Sequence, residues 1–99
     1  MVLDFQKYEI MTEAQNIKEL TAGKHPAEAL AIIENLLAKA TSSPLLIEKG
    51  KLLWRLDRRG EAMSAYEQAA RIDPDGPANL LIEHSNSIMD FFNPDLLNP

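Results

Sequence analysis

The chain has no cysteine, which excludes disulfide cross-links and thiolate metal sites. Histidine occurs only at His25 and His84, one at a helix start and the other on a different helix. No serine stands in a nucleophile motif, so the chain is not expected to be an enzyme. No metal or other cofactor is expected either, because metal sites need several convergent donors. Long apolar runs are missing, and the first ten residues (MVLDFQKYEI) carry acidic and polar side chains where a signal peptide needs an apolar core. A cytoplasmic location is expected. Positive charge is in deficit, with ten Lys and Arg against fifteen Asp and Glu, a formal charge of −5 and a pI near 4.9. Nucleic acid and anionic membrane are therefore not expected as partners, since phosphate surfaces are held by basic charge.

The remaining composition is that of an ordinary folded domain, 45% hydrophobic and 25% charged over 99 residues. A chain this short forms one domain and buries roughly 60–65% of the surface that its unfolded form exposes. The chain also repeats itself. A shift of thirty-three residues carries Leu20 to Leu53, Ala29 to Ala62, Ile33 to Tyr66, Leu36 to Ala69 and Pro44 to Pro77. It likewise carries Lys18 to Lys51 and Glu28 to Glu61, so buried, exposed and punctuating positions recur together. A period in the thirties with helical content means stacked helical hairpins, each unable to bury its apolar face alone.

Helix signals divide the chain into five helices. Thr12 and Gln15 have the spacing of a capping box. Helix 1 then runs to about Ala22 with Ala14, Ile17, Leu20 and Thr21 on one stripe, and Gly23 ends it in the left-handed conformation. His25-Pro26 opens helix 2, which runs from Ala27 to Ala40 with Ala29, Ile33, Leu36, Leu37 and Ala40 on its apolar face. Ser43 as cap and Pro44 as first residue open helix 3, which reaches about Asp57 with Leu46, Gly50, Leu53 and Leu56 or Asp57 on the packed side. Gly50 reads as a residue that lets two backbones approach. Gly60 falls in the next turn, helix 4 spans Glu61 to Ile72 with Ala62, Ala65, Tyr66 and Ala69 inward, and Asp73-Pro74-Asp75-Gly76-Pro77 stops it. That stop lacks the third spaced ligand and closing glutamate of a calcium loop, so it reads as a turn. Helix 5 spans about Pro77 to Phe92 with Ala78, Leu81, Ile82, Ser85, Ile88, Met89 and Phe92 in a stripe, and with Asn79, Glu83, Asn86 and Asp90 facing water. Phe5 and Tyr8 either extend helix 1 backward or belong to a loose arm. Met11, directly before the capping box, is an alternative start of the native chain.

The stretch from Pro44 to Pro74 resembles the tetratricopeptide repeat, whose first helix carries a large apolar residue, a small residue and an aromatic or leucine, here Leu46, Gly50 and Leu53. The second helix of that family carries small, aromatic and small residues before a closing proline, matched by Ala62, Tyr66, Ala69 and Pro74. Lys49 stands where the family usually has leucine, and Asp57 where it often has glycine. The stretch 12–43 matches less fully, since Leu20 and Ala29 agree while Ile33 and Leu36 replace the aromatic and the alanine. The resemblance implies an all-α fold of two antiparallel hairpins stacked in a right-handed superhelix and closed by a capping helix. Its divisions are an arm at 1–11, repeats at 12–43 and 44–76, the cap at 77–93 and a tail at 94–99. Phe91, Phe92, Leu96 and Leu97 are expected to fold back onto the core, the alternative being an exposed patch for a partner or second copy.

The same resemblance implies a protein-binding scaffold whose concave face is lined by the first helix of each hairpin. By that register Lys18, Thr21 and Ala22 on helix 1 and Ile47, Lys51, Trp54 and Arg55 on helix 3 face the groove. Trp54, the one tryptophan, reads either as a binding anchor or as a packing residue. Lys49, Lys51, Arg55, Arg58 and Arg59 form a local basic cluster that suggests an acidic partner segment, against the plainer reading of a solvated helix face. Helix 5 offers no Lys or Arg, so the carboxylate clamp by which the family grips acidic chain ends is not expected. An adaptor that holds a peptide or helix of another protein is the first reading. A structural homodimer formed through helix 5 and the tail is the second.

Overall fold

The computed structural model describes residues 16–91, with side chains through Met89. Among the described residues the fold is all-α, with five helices. The first, α1, is described over residues 16–21, followed by α2 (Pro26–Lys39), α3 (Ser43–Arg55), α4 (Arg59–Ile72) and α5 (Ala78–Phe91). The Thr12–Gln15 box, Met11, the arm, Phe92 and the tail residues Leu96 and Leu97 lie outside the described residues.

Local chemistry places each boundary. Gly23 has φ +70° and no neighbour within 4 Å of a Cβ built on it, the open left-handed position that ends α1. The α2 cap is His25 itself, whose Nδ1 accepts from the Ala27 amide at 3.2 Å ahead of Pro26. At α3 the cap is Ser42 rather than Ser43: Ser42 Oγ accepts from the Leu45 amide at 3.4 Å, which puts Ser43 and Pro44 both inside the first turn. Proline fits there because its missing N–H leaves no hydrogen bond unmade.

The end of α3 departs furthest from the sequence reading. The helix stops at Arg55 with Leu56 as its cap, and Asp57 sits beyond it at φ +61°. The Arg58 amide donates to Leu53 O at 2.9 Å and the Asp57 amide to Trp54 O at 3.1 Å. These are the two bonds of a Schellman motif, with an aspartate at the left-handed position that glycine usually fills. Gly60 is not in a turn but in the first turn of α4, which starts at Arg59. Arg58 precedes that helix without a side-chain cap, and its guanidinium bonds Glu61 in the first turn.

Each helix packs on its neighbours in order, α2 on α3, α3 on α4 and α4 on α5. Short connections between them make successive neighbours antiparallel. The larger core cluster gathers Ile17, Ala29, Leu30, Ile33, Leu45, Leu52, Leu53, Ala62 and Ala65, with Leu36, Leu37, Trp54 and Leu56 against it. A second cluster joins Leu46 and Ile47 of α3 to Ala69 of α4 and Ala78 of α5. The fully buried alanines at 62, 69 and 78 let the helices cross closely. Gly50 acts the same way, since the Tyr66 ring of α4 occupies the space that its Cβ would need.

Two apolar positions assigned to the core are exposed. Leu20 is 45% exposed although its repeat counterpart Leu53 is 1% exposed. Leu53 is enclosed because α3 lies between α2 and α4, whereas among the described residues α1 has no helix on its outer side. Ala40 is exposed because α2 ends one residue before it. On α5, Ala78 and Ser85 are buried, while Leu81, Ile82, Ile88 and Met89 are half-buried.

Candidate functional site

A groove of about 230 Å³ opens where α1, the start of α3 and the corner between α4 and α5 converge. Ile17 and Ile47, both buried, form its floor. Pro44 and Pro77 wall it, and both prolines sit there for backbone reasons, since each opens or precedes a helix. Ser43 also lines it. Lys18 stands on one rim, with Glu48 and Asp73 on the others. The result is an apolar slot edged by one cation and two carboxylates. A cavity of ~150 Å³ already holds a benzene-sized group, so this groove has room for one large apolar side chain.

The expected site residues separate into two groups. Lys18 and Ile47 line the groove together. Lys51, Trp54 and Arg55 do not line it; they follow Ile47 on the same face of α3 at four, seven and eight residues' spacing. Thr21 donates from Oγ1 to Ile17 O at 2.8 Å, and Ala22 is exposed beyond the end of α1. Lys51 is 3.6 Å from Glu48, one turn back. Trp54 is half-buried against the larger core cluster, with the Arg59 guanidinium carbon 4.8 Å from its ring centroid. The indole is thus partly packed and partly capped by a cation. Arg59 Nε is shut off from solvent and lies 3.4 Å from Asp57 Oδ1 without an aligned hydrogen bond.

The basic cluster of the sequence is dispersed in three dimensions. Lys49 and Arg58 enter a second hollow of about 220 Å³, lined also by Glu34, Leu53, Glu61, Ser64, Ala65 and Gln68. Here the bond from Arg58 holds the Glu61 carboxyl below its ordinary range, and Glu61 in turn raises Arg58. Lys49 is a half-buried residue of this charged hollow. Of the five cations, Lys51, Arg58 and Arg59 are each paired with a carboxylate.

Sequence reasoning missed Ile17, Ser43, Pro44, Glu48, Asp73 and Pro77 as groove residues. Pro44 and Pro77 carried a signal, because the thirty-three-residue shift superposes them. The rest depend on which helices meet. His84 is exposed on α5, and His25 serves as a helix cap. Among the described residues no group of three or more His, Asp or Glu side chains is placed to hold a metal ion, and no helix is long and apolar enough to cross a membrane. Comparison of the chain with protein-family models, with curated proteins and with solved structures gave no match.

Proposed function

We propose that this chain is a tetratricopeptide-type interaction module that holds a segment of another protein, without catalysis, in the groove between α1, α3 and the α4–α5 corner. One observation carries the reading: the groove has an apolar floor of Ile17 and Ile47 and a charged rim of Lys18, Glu48 and Asp73. An apolar anchor on the partner fills the floor, and charges beside that anchor meet the rim, a division of labour common to peptide recognition. A longer segment continues along α3 over Lys51 and Arg55. Reaching Trp54 requires moving Arg59 aside. The basic cluster gives little support to an acidic partner, because three of those five cations already face carboxylates.

The experiment is selection of binders from a random peptide library on the full chain, followed by amide chemical-shift mapping. Shifts concentrated at residues 17–18, 43–48 and 73–77, with binding lost in Pro44→Glu, are the expected result. Pro44 is exposed and at a helix start, where a carboxylate is tolerated, so this variant keeps the fold. Peptides that bind Pro44→Glu as well as they bind the parent chain refute the groove as the site.

A further inference from the structure

The rim of the groove holds charges that its surroundings leave unanswered. Among the described residues neither Lys18 nor Asp73 is in an ion pair, while Glu48 pairs with Lys51 at 3.6 Å. Lys18 stands on α1 and Asp73 at the α4–α5 corner, so the floor of Ile17 and Ile47 lies between an ammonium on one rim and a carboxylate on another. A fitting occupant has one large apolar side chain, with an acid on one side of it and a base on the other. The chain carries that pattern close by. Residues 4–7 read Asp-Phe-Gln-Lys, an aromatic with a carboxylate directly before it and a cation two places after. The connection to the groove is direct, since Asn16 is the first described residue and Ile17 and Lys18 line the groove. Reach is sufficient. If Thr12 caps α1, its return to the level of Ile17 is five residues of helix, about 8 Å. The seven steps from Thr12 back to Phe5 cover up to about 23 Å when extended.

We propose, building on the groove as a binding site, that the arm ahead of α1 seats Phe5 on the Ile17–Ile47 floor, with Asp4 toward Lys18 and Lys7 toward Asp73. Charge selects this segment over the other end of the chain. Residues 92–99 offer Leu96 and Leu97 beside Asp95 but no cation, so Glu48 and Asp73 would meet a third carboxylate. Tyr8, between Lys7 and Glu9, brings a hydroxyl onto a floor of two isoleucines, a desolvation cost that Phe5 avoids. The same arm on a second copy, or a like segment of another protein, has no tether. The tether holds Phe5 near the groove at an effective concentration on the order of 1 mM. A partner therefore binds here by displacing the arm.

The chain has no cysteine, so Gln6→Cys gives a single site for a nitroxide beside Phe5. In the isotope-labelled full chain, paramagnetic broadening should centre on amides 17–18, 43–48 and 73–77 and persist on dilution. A mixture of spin-labelled, unenriched chain with enriched chain lacking the label should show none. Phe5→Ala should abolish the focus on 43–48 and 73–77, and Lys7→Glu should weaken it. Adding Asp73→Lys to Lys7→Glu should restore it. Asp73 is exposed at the end of α4, where a cation suits the helix dipole, so the charge swap keeps the fold. The proposal is overturned if Phe5→Ala leaves the pattern unchanged, if broadening centres on residues 80–88, or if it appears in the mixed sample, which would place a second copy's arm in the groove. Foreign peptides read the two assignments separately. Groove-binding peptides that bind Phe5→Ala more tightly than the parent support displacement of the arm. Equal affinity overturns arm docking and leaves the groove as a site for another protein, whereas peptides that avoid the groove in both chains remove that site and leave the broadening to decide the arm.

Discussion

Gly50 offers a test in which two physical effects predict opposite signs. It lies inside α3, where on propensity alone replacing glycine by alanine stabilises a helix by about 1 kcal/mol. In this fold the new Cβ would stand 2.6 Å from Tyr66 Cδ1, nearer still to Cε1, and 3.0 Å from Cζ. Ordinary carbon contacts lie at ~3.5–4.0 Å, so ring and helix must separate by about 1 Å. The ring has little freedom to retreat, because Tyr66 is only 3% exposed. Overpacking of this kind costs about 1–3 kcal/mol, and a rigid aromatic on the far side puts Gly50→Ala at the upper end. The net expectation is a loss of about 2 kcal/mol, which lowers the melting temperature by roughly 8–16 °C for a domain of this size. Urea denaturation followed by circular dichroism measures it, with the m-value checked for constancy. Tyr66→Leu supplies the second arm of a double-mutant cycle. In that background the ring is gone, and Gly50→Ala should become neutral or stabilising. A Gly50→Ala chain more stable than its parent would refute the packing argument outright.

Asp57 occupies a left-handed position, so Asp57→Gly should exceed Asp57→Ala in stability by about 1 kcal/mol; equal urea midpoints for the two variants contradict the Schellman assignment. Removing the guanidinium that covers the indole, in Arg59→Ala, should shift Trp54 emission to the red and increase its quenching by iodide, at a stability loss of at most about 1 kcal/mol. Unchanged emission would mean that Arg59 does not cap Trp54. Burial raises the Tyr66 pKa above its ordinary value, so the folded chain holds this proton while the unfolded chain releases it. Stability is then unaffected below about pH 10, the ordinary tyrosine range, and falls as pH rises beyond it. The Tyr66→Phe variant should lose this part of the alkaline slope, and identical slopes for the two chains argue against a buried phenol.

Much of the fold could be read from periodicity, because positions that pack must recur with the helix. Ala62, Ala65, Tyr66 and Ala69 are buried as their spacing required, and Gly50 faces Tyr66. What escaped were choices between near-equal local options. Ser42 and Ser43 are both competent caps before Pro44, and only the direction in which α3 must leave to bury Leu45 and Leu46 decides between them. Gly60 looks like a turn residue, yet the turn is made by Asp57, whose left-handed backbone was signalled only by its standing where the resembled pattern often has glycine. The groove was half legible. Register identified Ile47 and Lys18, but Asp73 and Pro77 reach it only through the return of the chain at the α4–α5 corner.

In a stack whose helices pack in order, each layer is held by the layer before and the layer after, so the ends open more easily than the middle. The groove draws Ile17 and Lys18 from one end of this stack and Pro77 from the other. Anything seated there acts as a brace across several layers at once. Occupancy then turns a row of pairwise contacts into a closed circuit: both ends resist hydrogen exchange together, and the melting temperature climbs with ligand concentration as mass action requires. A partner recognised by this chain would thus also be a cofactor of its folding.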